Sequence, residues 1–95
     1  MSPSPSPSFH LKVITPRVLL VEAEVDEVSI PSLEGAIGIL PGHRPLMTAL
    51  GKGKITYRQG KSEESFAVEG GTAEILPDRV IVFTELSDEE NLSEA

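Results

Sequence analysis

Between Glu34 and Leu46 the chain reads EGAIGILPGHRPL, which gathers three glycines, two prolines, His43 and Arg44 into thirteen positions. Three kinds of chemistry use such residues. The histidine could act as a general base, the glycine amides could cradle a phosphate, or the whole segment could be a stiff turn that another protein grips. A base needs a nucleophile or an acid partner beside it. The only other histidine, His10, lies more than thirty residues away in an alternating stretch, and a single histidine within Pro-Gly-His-Arg-Pro reads first as a hydrogen-bonded turn residue. A phosphate cradle needs consecutive glycine amides leading into a helix. Here Gly35, Gly38 and Gly42 are interrupted by Ile37, Ile39 and Pro41, proline has no N–H to offer, and no helical pattern follows. The stiff turn remains, because preordered loops lose little entropy when a partner docks.

Metal chemistry finds no better footing. The chain has no cysteine, and its two histidines fall outside any ligand spacing for zinc or calcium. Absence of cysteine also excludes a disulfide framework. Net charge is −7, but Glu85, Asp88, Glu89, Glu90 and Glu94 put five acids and no base in the last eleven residues, which leaves −2 for the body. No basic footprint for nucleic acid is present. No apolar run is long enough to span a membrane, so any membrane association is expected to come through partners.

The elements that must carry the turn are short strands. In 95 residues, 39% of them hydrophobic and only 4% aromatic, one thin core of Val, Ile, Leu and Ala is expected. Residues 1–8 alternate Ser and Pro and read as a disordered or extended leader. From Phe9 the period is two: Phe9, Leu11 and Val13 share a face up to Thr15-Pro16. A second run places Leu19, Val21, Ala23 and Val25 on one face, with Glu22, Glu24 and Asp26 pointing together into water. The apolar parity then flips to Val28 and Ile30, so a bulge or bend is predicted at Asp26-Glu27.

Beyond it, Pro31 to Gly35 reads as a connection, and Ala36–Leu40 and Leu46–Leu50 as short strands. Lys54–Arg58 and Glu64–Val68 form a hairpin with Ile55, Tyr57, Phe66 and Val68 inward. Gly70-Gly71 breaks the run, and Thr72–Leu76 and Arg79–Thr84 flank a Pro77-Asp78 turn. The sum is an all-β, flattened sandwich or barrel of about ten short strands over residues 9–85. Residues 86–95 form an acidic tail with at most a short helical turn, for which Ser87 is the candidate N-cap.

The same segment carries a resemblance. EGAIGILPGHRPLMTALGKGKI, residues 34–55, resembles the signature of the epsilon subunit of the F-type ATP synthase in its N-terminal β-sandwich domain, matching at Glu34, Gly35, Gly38, Ile39, Pro41, Gly42, His43, Pro45, Leu46, Thr48 and Gly53. LKVITP at 11–16, VDEVSIP at 25–31, VEGG at 68–71 and the strand at 80–84 extend it over about residues 9–85. Eleven signature positions in order are far more specific than one short motif.

What the resemblance implies is a flattened ten-stranded sandwich in the central stalk that holds the gamma subunit to the c-ring and itself catalyses nothing. Carried over by position, Thr15, His43 and Thr48 would face gamma, with Arg44 on the rim; Ser32, Glu34 and Ala36 would face the c-ring. Where some relatives carry an acid, this chain has Ala36. No cofactor is implied. Relatives commonly continue into a two-helix hairpin that can bind ATP or inhibit hydrolysis; the sequence ends at Ala95, where that hairpin would be starting, so neither property is expected. The implied location is peripheral, on the cytoplasmic face of a bacterial plasma membrane. The alternative from another class is an unrelated β-sandwich module binding an extended peptide at a sheet edge, against which Pro41, Pro45, Lys52 and Lys54 would act as edge protection.

Overall fold

Alternation of apolar and polar residues becomes eight strands in a computed structural model that describes residues 7–87. They are β1 (Phe9–Ile14), β2 (Leu19–Val25), β3 (Glu27–Ser32), β4 (Gly35–Ile39), β5 (Leu46–Ala49), β6 (Lys52–Gln59), β7 (Ser62–Leu76) and β8 (Arg79–Leu86). The order is β2-β1-β8-β7-β6-β3-β4, with β5 also on β7. All neighbours are antiparallel except β1 and β8, which run parallel from His10 beside Arg79 to Ile14 beside Phe83.

The fifteen-residue β7 is what turns this sheet into a sandwich. Its first half pairs β6, from Gln59 beside Ser62 to Lys52 beside Glu69, and its second half lies between β8 and β5. Register shifts between Val68 and Gly71 where the two halves meet. Gly71 has φ +107, and a Cβ there would sit 2.8 Å from the Thr84 Cα and against the Phe83 carbonyl, so only glycine allows β7 and β8 to pass this closely. The doubled glycine was expected to end a strand; instead it bends one. This is one reason the count is eight rather than about ten. Pro31 and Ser32, expected in a connection, are also paired as strand residues.

Inward faces of both halves meet in one core. Leu11, Val13, Val80, Val82, Ala73 and Ile75 come from β1, β8 and the end of β7, while Val28, Ile30, Ile39, Ile55 and Val68 come from β3, β4, β6 and the start of β7. Period two holds most cleanly in β1 and β3, whose alternate residues are buried. Tyr57 and Phe66 close one margin edge to face, with centroids 6.5 Å apart and planes at 70°.

The predicted bend falls at Asp26, between β2 and β3. The three acids nearby are not merely solvated. His10 sits between Glu22, 3.2 Å from Nε2, and Glu24, 3.1 Å from Nδ1, while Asp26 accepts a 2.7 Å hydrogen bond from the Gly60 amide. Leu19 also departs from its expected face: a shift between Val13 and Ile14 pairs Leu19 with Ile14, leaving it 48% exposed while Leu20 packs toward the core. Leu86 ends a strand, and the buried Ser87 donates its amide to Ala67 O. The Ser/Pro leader up to Ser6 and the helical turn expected after Ser87 lie outside the described residues.

Candidate functional site

At the tip of the β3–β4 hairpin, the buried Ser32 hydroxyl donates to Gly35 O at 2.6 Å and accepts from the Glu34 amide at 3.1 Å. Gly35, with φ +122, closes the two-residue turn. The Leu33 amide donates to Ala49 O and the Gly51 amide to Pro31 O, so the tip is fastened to the β5–β6 junction. What it presents outward is the Leu33 side chain, 69% exposed, and the exposed Glu34. Ala36, exposed and opposite Pro31, follows on the same hairpin. Ser32, Glu34 and Ala36 are therefore brought together, with the serine acting as the brace.

The 40–45 turn is braced too. Gly42 donates its amide to Pro77 O at 2.8 Å, His43 donates its amide to Leu40 O, and the His43 Nδ1–H donates to Arg44 O at 2.7 Å. That bond makes the ring part of the turn's scaffold and leaves Nε2 as the ring's acceptor nitrogen when the imidazole is neutral. Arg44 is exposed. Thr48 faces Ala73 across β5–β7, half-buried, with its hydroxyl donating to Ala49 O at 3.3 Å. Thr15 caps its own turn: its hydroxyl donates to Val18 O and accepts from the Arg17 and Val18 amides.

These residues are not one cluster. β1 starts beside Asp78, where His10 donates its amide to Asp78 O, and ends at Ile14 beside Phe83. The His43–Arg44 turn sits at the Pro77 end, whereas Thr15 lies at the other, roughly 17 Å away along β1. Thr15 shares its end with Gly70, Gly71 and Thr84, and bonds from Leu50 to Gly71 and from Gly70 to Gly51 lead on to the Ser32–Glu34 tip.

Joining the two ends is a surface not foreseen from sequence. Outward residues of β5, β7, β8, β1 and β2 stand in register as Ala49, Thr72, Phe83, Ile14 and Leu19, and in the next row as Met47, Glu74, Ile81, Lys12 and Glu22. Phe83 is 51% exposed and Met47 68%. A cavity of about 440 Å³ opens beside Phe83, lined by Ile14, Thr15, Pro16, Gly70 and Gly71. The available signal was the run RVIVF at 79–83: a strand apolar on both faces reads as covered on both faces. Among the described residues, no group of three or more His, Cys, Asp or Glu is placed to hold a metal ion.

Braced turns and an apolar outer sheet face characterise this small β-sandwich. Residues 8–87 match the family described as the ATP synthase, Delta/Epsilon chain, beta-sandwich domain. The chain belongs to that family. It is 40% identical over 81 residues to the ATP synthase epsilon chain of Solibacter usitatus, covering 85% of this chain and 60% of that one. With the epsilon chain of Halalkalibacterium halodurans it shares 38% over 82 residues, covering 86% and 62%. The chain thus spans about three fifths of the length of these curated relatives. Its fold is similar to a chain in the Euglena gracilis mitochondrial ATP synthase OSCP/F1/c-ring structure, with TM-score 0.77, 21% identity, and coverage of 87% and 53%. A chain of the Tetrahymena thermophila central stalk/c-ring structure gives TM-score 0.70 at 12% identity, covering 86% and 66%.

Proposed function

We propose that this chain is a non-catalytic central-stalk subunit of an F-type ATP synthase, holding the gamma subunit to the c-ring so that ion-driven rotation reaches the catalytic sites. The family match across residues 8–87 carries the reading. Two further observations support it. The two solved structures described above are assemblies that include a c-ring. The polar side chains Ser32, His43 and Thr15 are spent on bracing turns, as a part that transmits torque requires.

In this reading Glu34, with Leu33 and Ala36 beside it, meets polar loops of the c-ring, while Thr15 at one end and His43 and Arg44 at the other border the gamma contact, with Thr48 level with Val13 near the Thr15 end. The site is the membrane's cytoplasmic face in a bacterium, reached through partners, and no cofactor is needed. Among the described residues no helix is long and apolar enough to cross a membrane. The test is reconstitution with gamma and c-ring, measuring ion-driven ATP synthesis with and without this chain. Synthesis should require it; equal synthesis in its absence, with the chain shown folded, would refute the proposal.

A further inference from the structure

Two small residues are buried on a face where their neighbours are wet. On the outer side of the layer formed by β3, β6 and the start of β7, Ser65, Ala67 and Glu69 alternate with the inward Phe66 and Val68, and stand opposite Thr56, Lys54 and Lys52. Ser65 and Glu69 are exposed, as outward residues are expected to be, yet Ala67 is only 2% exposed. Ser87 shares its position. Its amide donates to Ala67 O, continuing the register in which Leu86 pairs Val68, so it takes the same outer face, and it is 1% exposed. The core does not account for this, because Ala67 is not part of the apolar core cluster. An outward side chain this small loses its water when something lies over it.

The chain itself reaches this seat first. Residues 88–95 lie outside the described residues, but their starting point is fixed, because the Ser87 amide is bonded on the floor of the seat. A tethered segment has an effective concentration there that a free partner rarely matches. Charge agrees. Asp88, Glu89, Glu90 and Glu94 bring four acids and no base, and on β6 the exposed Lys54 stands directly opposite Ala67, with Lys52 two residues on. Glu69, opposite Lys52, repels acids at that end and leaves Lys54 the nearer partner. A second copy would bring its net charge of −7 without the tether. The competing seat is the cavity lined by Thr15, Pro16, Arg17, Val18, Glu85 and Leu86, none of which is buried.

We infer that residues 88–95 fold back over the outer face of β6 and β7, with Leu92 over the Ala67–Ser87 seat and Asp88, Glu89 and Glu90 against Lys54 and Lys52. The segment is then a strap held by charge. Exposed ion pairs of this kind are modest singly and are screened by salt. The inference is independent of the central-stalk reading, since neither gamma nor the c-ring enters it.

Because the chain has no cysteine, a nitroxide label on Ser93→Cys gives a single probe in the full chain. Amide resonances of Lys54, Ser65 and Ala67 should broaden, while those of Lys12 and Ile81, on the outer face of the other layer, should not. Lys52→Glu with Lys54→Glu should remove the broadening and raise hydrogen exchange at the Ser87 amide about fivefold. Adding Asp88→Lys, Glu89→Lys and Glu90→Lys should restore both, a rescue that a purely local role of the lysines would not give. Thermal melts establish that each variant is folded; if the lysine pair unfolds, Leu92→Asp replaces it with the same loss expected. Broadening centred on Thr15, Arg17 and Val18 would overturn the inference in favour of the competing cavity. Broadening that disappears when labelled chain is diluted with unlabelled chain would overturn it in favour of a second copy. Broadening spread evenly over both layers, or unchanged by the lysine reversal, would overturn it outright and leave the stalk reading intact.

Discussion

Gly71 passes under Phe83 with no room for a side chain: a Cβ would meet the Phe83 carbonyl carbon at 2.9 Å and the Thr84 Cα at 2.8 Å. Of the glycine positions, this is the tightest, and it lies against the backbone of the half-exposed Phe83. The bend in β7 and the cavity beside Phe83 are made by the same two glycines. Gly71→Ala should destabilise the domain by about 3 kcal/mol or more, from overpacking plus a left-handed alanine. Urea unfolding measures this, and a loss below about 1 kcal/mol would mean that β8 can move away without cost.

Burial, and then the Glu64 carboxylate opposite it, raises the Tyr57 phenol above its ordinary value. The folded state thus holds the phenolic proton more tightly than the unfolded chain. Stability from this group is complete below about pH 10 and drains away as pH rises through the folded value. Tyr57→Phe should flatten the alkaline limb of stability against pH and leave the neutral region nearly unchanged. A wild-type limb as flat as the variant's would contradict the assignment.

At the β2–β3 bend, the Asp26 carboxylate binds the Gly60 amide and faces Arg58 at 3.7 Å, while Arg58 also meets Glu27 at 3.1 Å. The amide bond is the stronger tie, because the ion pairs are substantially exposed. Asp26→Ala should cost about 1–2 kcal/mol. Arg58→Ala should cost under about 1 kcal/mol and its effect should fade in high salt. Equal losses for the two would reverse this ranking.

The hairpin tip separates brace from contact. Ser32→Ala removes both hydroxyl bonds and should cost about 1 kcal/mol, with faster hydrogen exchange at the Glu34 amide. Glu34→Ala should leave the melting temperature alone and weaken c-ring binding only, an effect lost as salt screens the charge. If Glu34→Ala changes coupled ATP synthesis in the same way at low and high salt, charge pairing is not its role.

At the other end, the double change His43→Ala with Arg44→Ala should weaken gamma binding without unfolding the domain, since the Gly42–Pro77 backbone bond survives. Identical gamma affinity in the double variant would reduce the turn to scaffold.

Period-two patterning in Phe9–Val13, the parity flip at Asp26 and the Pro77-Asp78 turn are local properties, and each is legible without coordinates because neighbours along the chain determine them. So is the family, since EGAIGILPGHRPL is a contiguous string. The long-range relations are of a different kind. The chain alone does not say that β1 runs parallel beside β8, that Gly70-Gly71 bends a strand instead of ending it, or that Leu19 slips to pair Ile14. Those outcomes depend on which backbones come within hydrogen-bonding distance across tens of residues. Only the tertiary structure could decide that Thr15 and His43 stand at opposite ends, and that Phe83, Ile14, Leu19 and Met47 share an outer face. The physical reason is that a strand apolar on both sides fits either layer until its partners are in place.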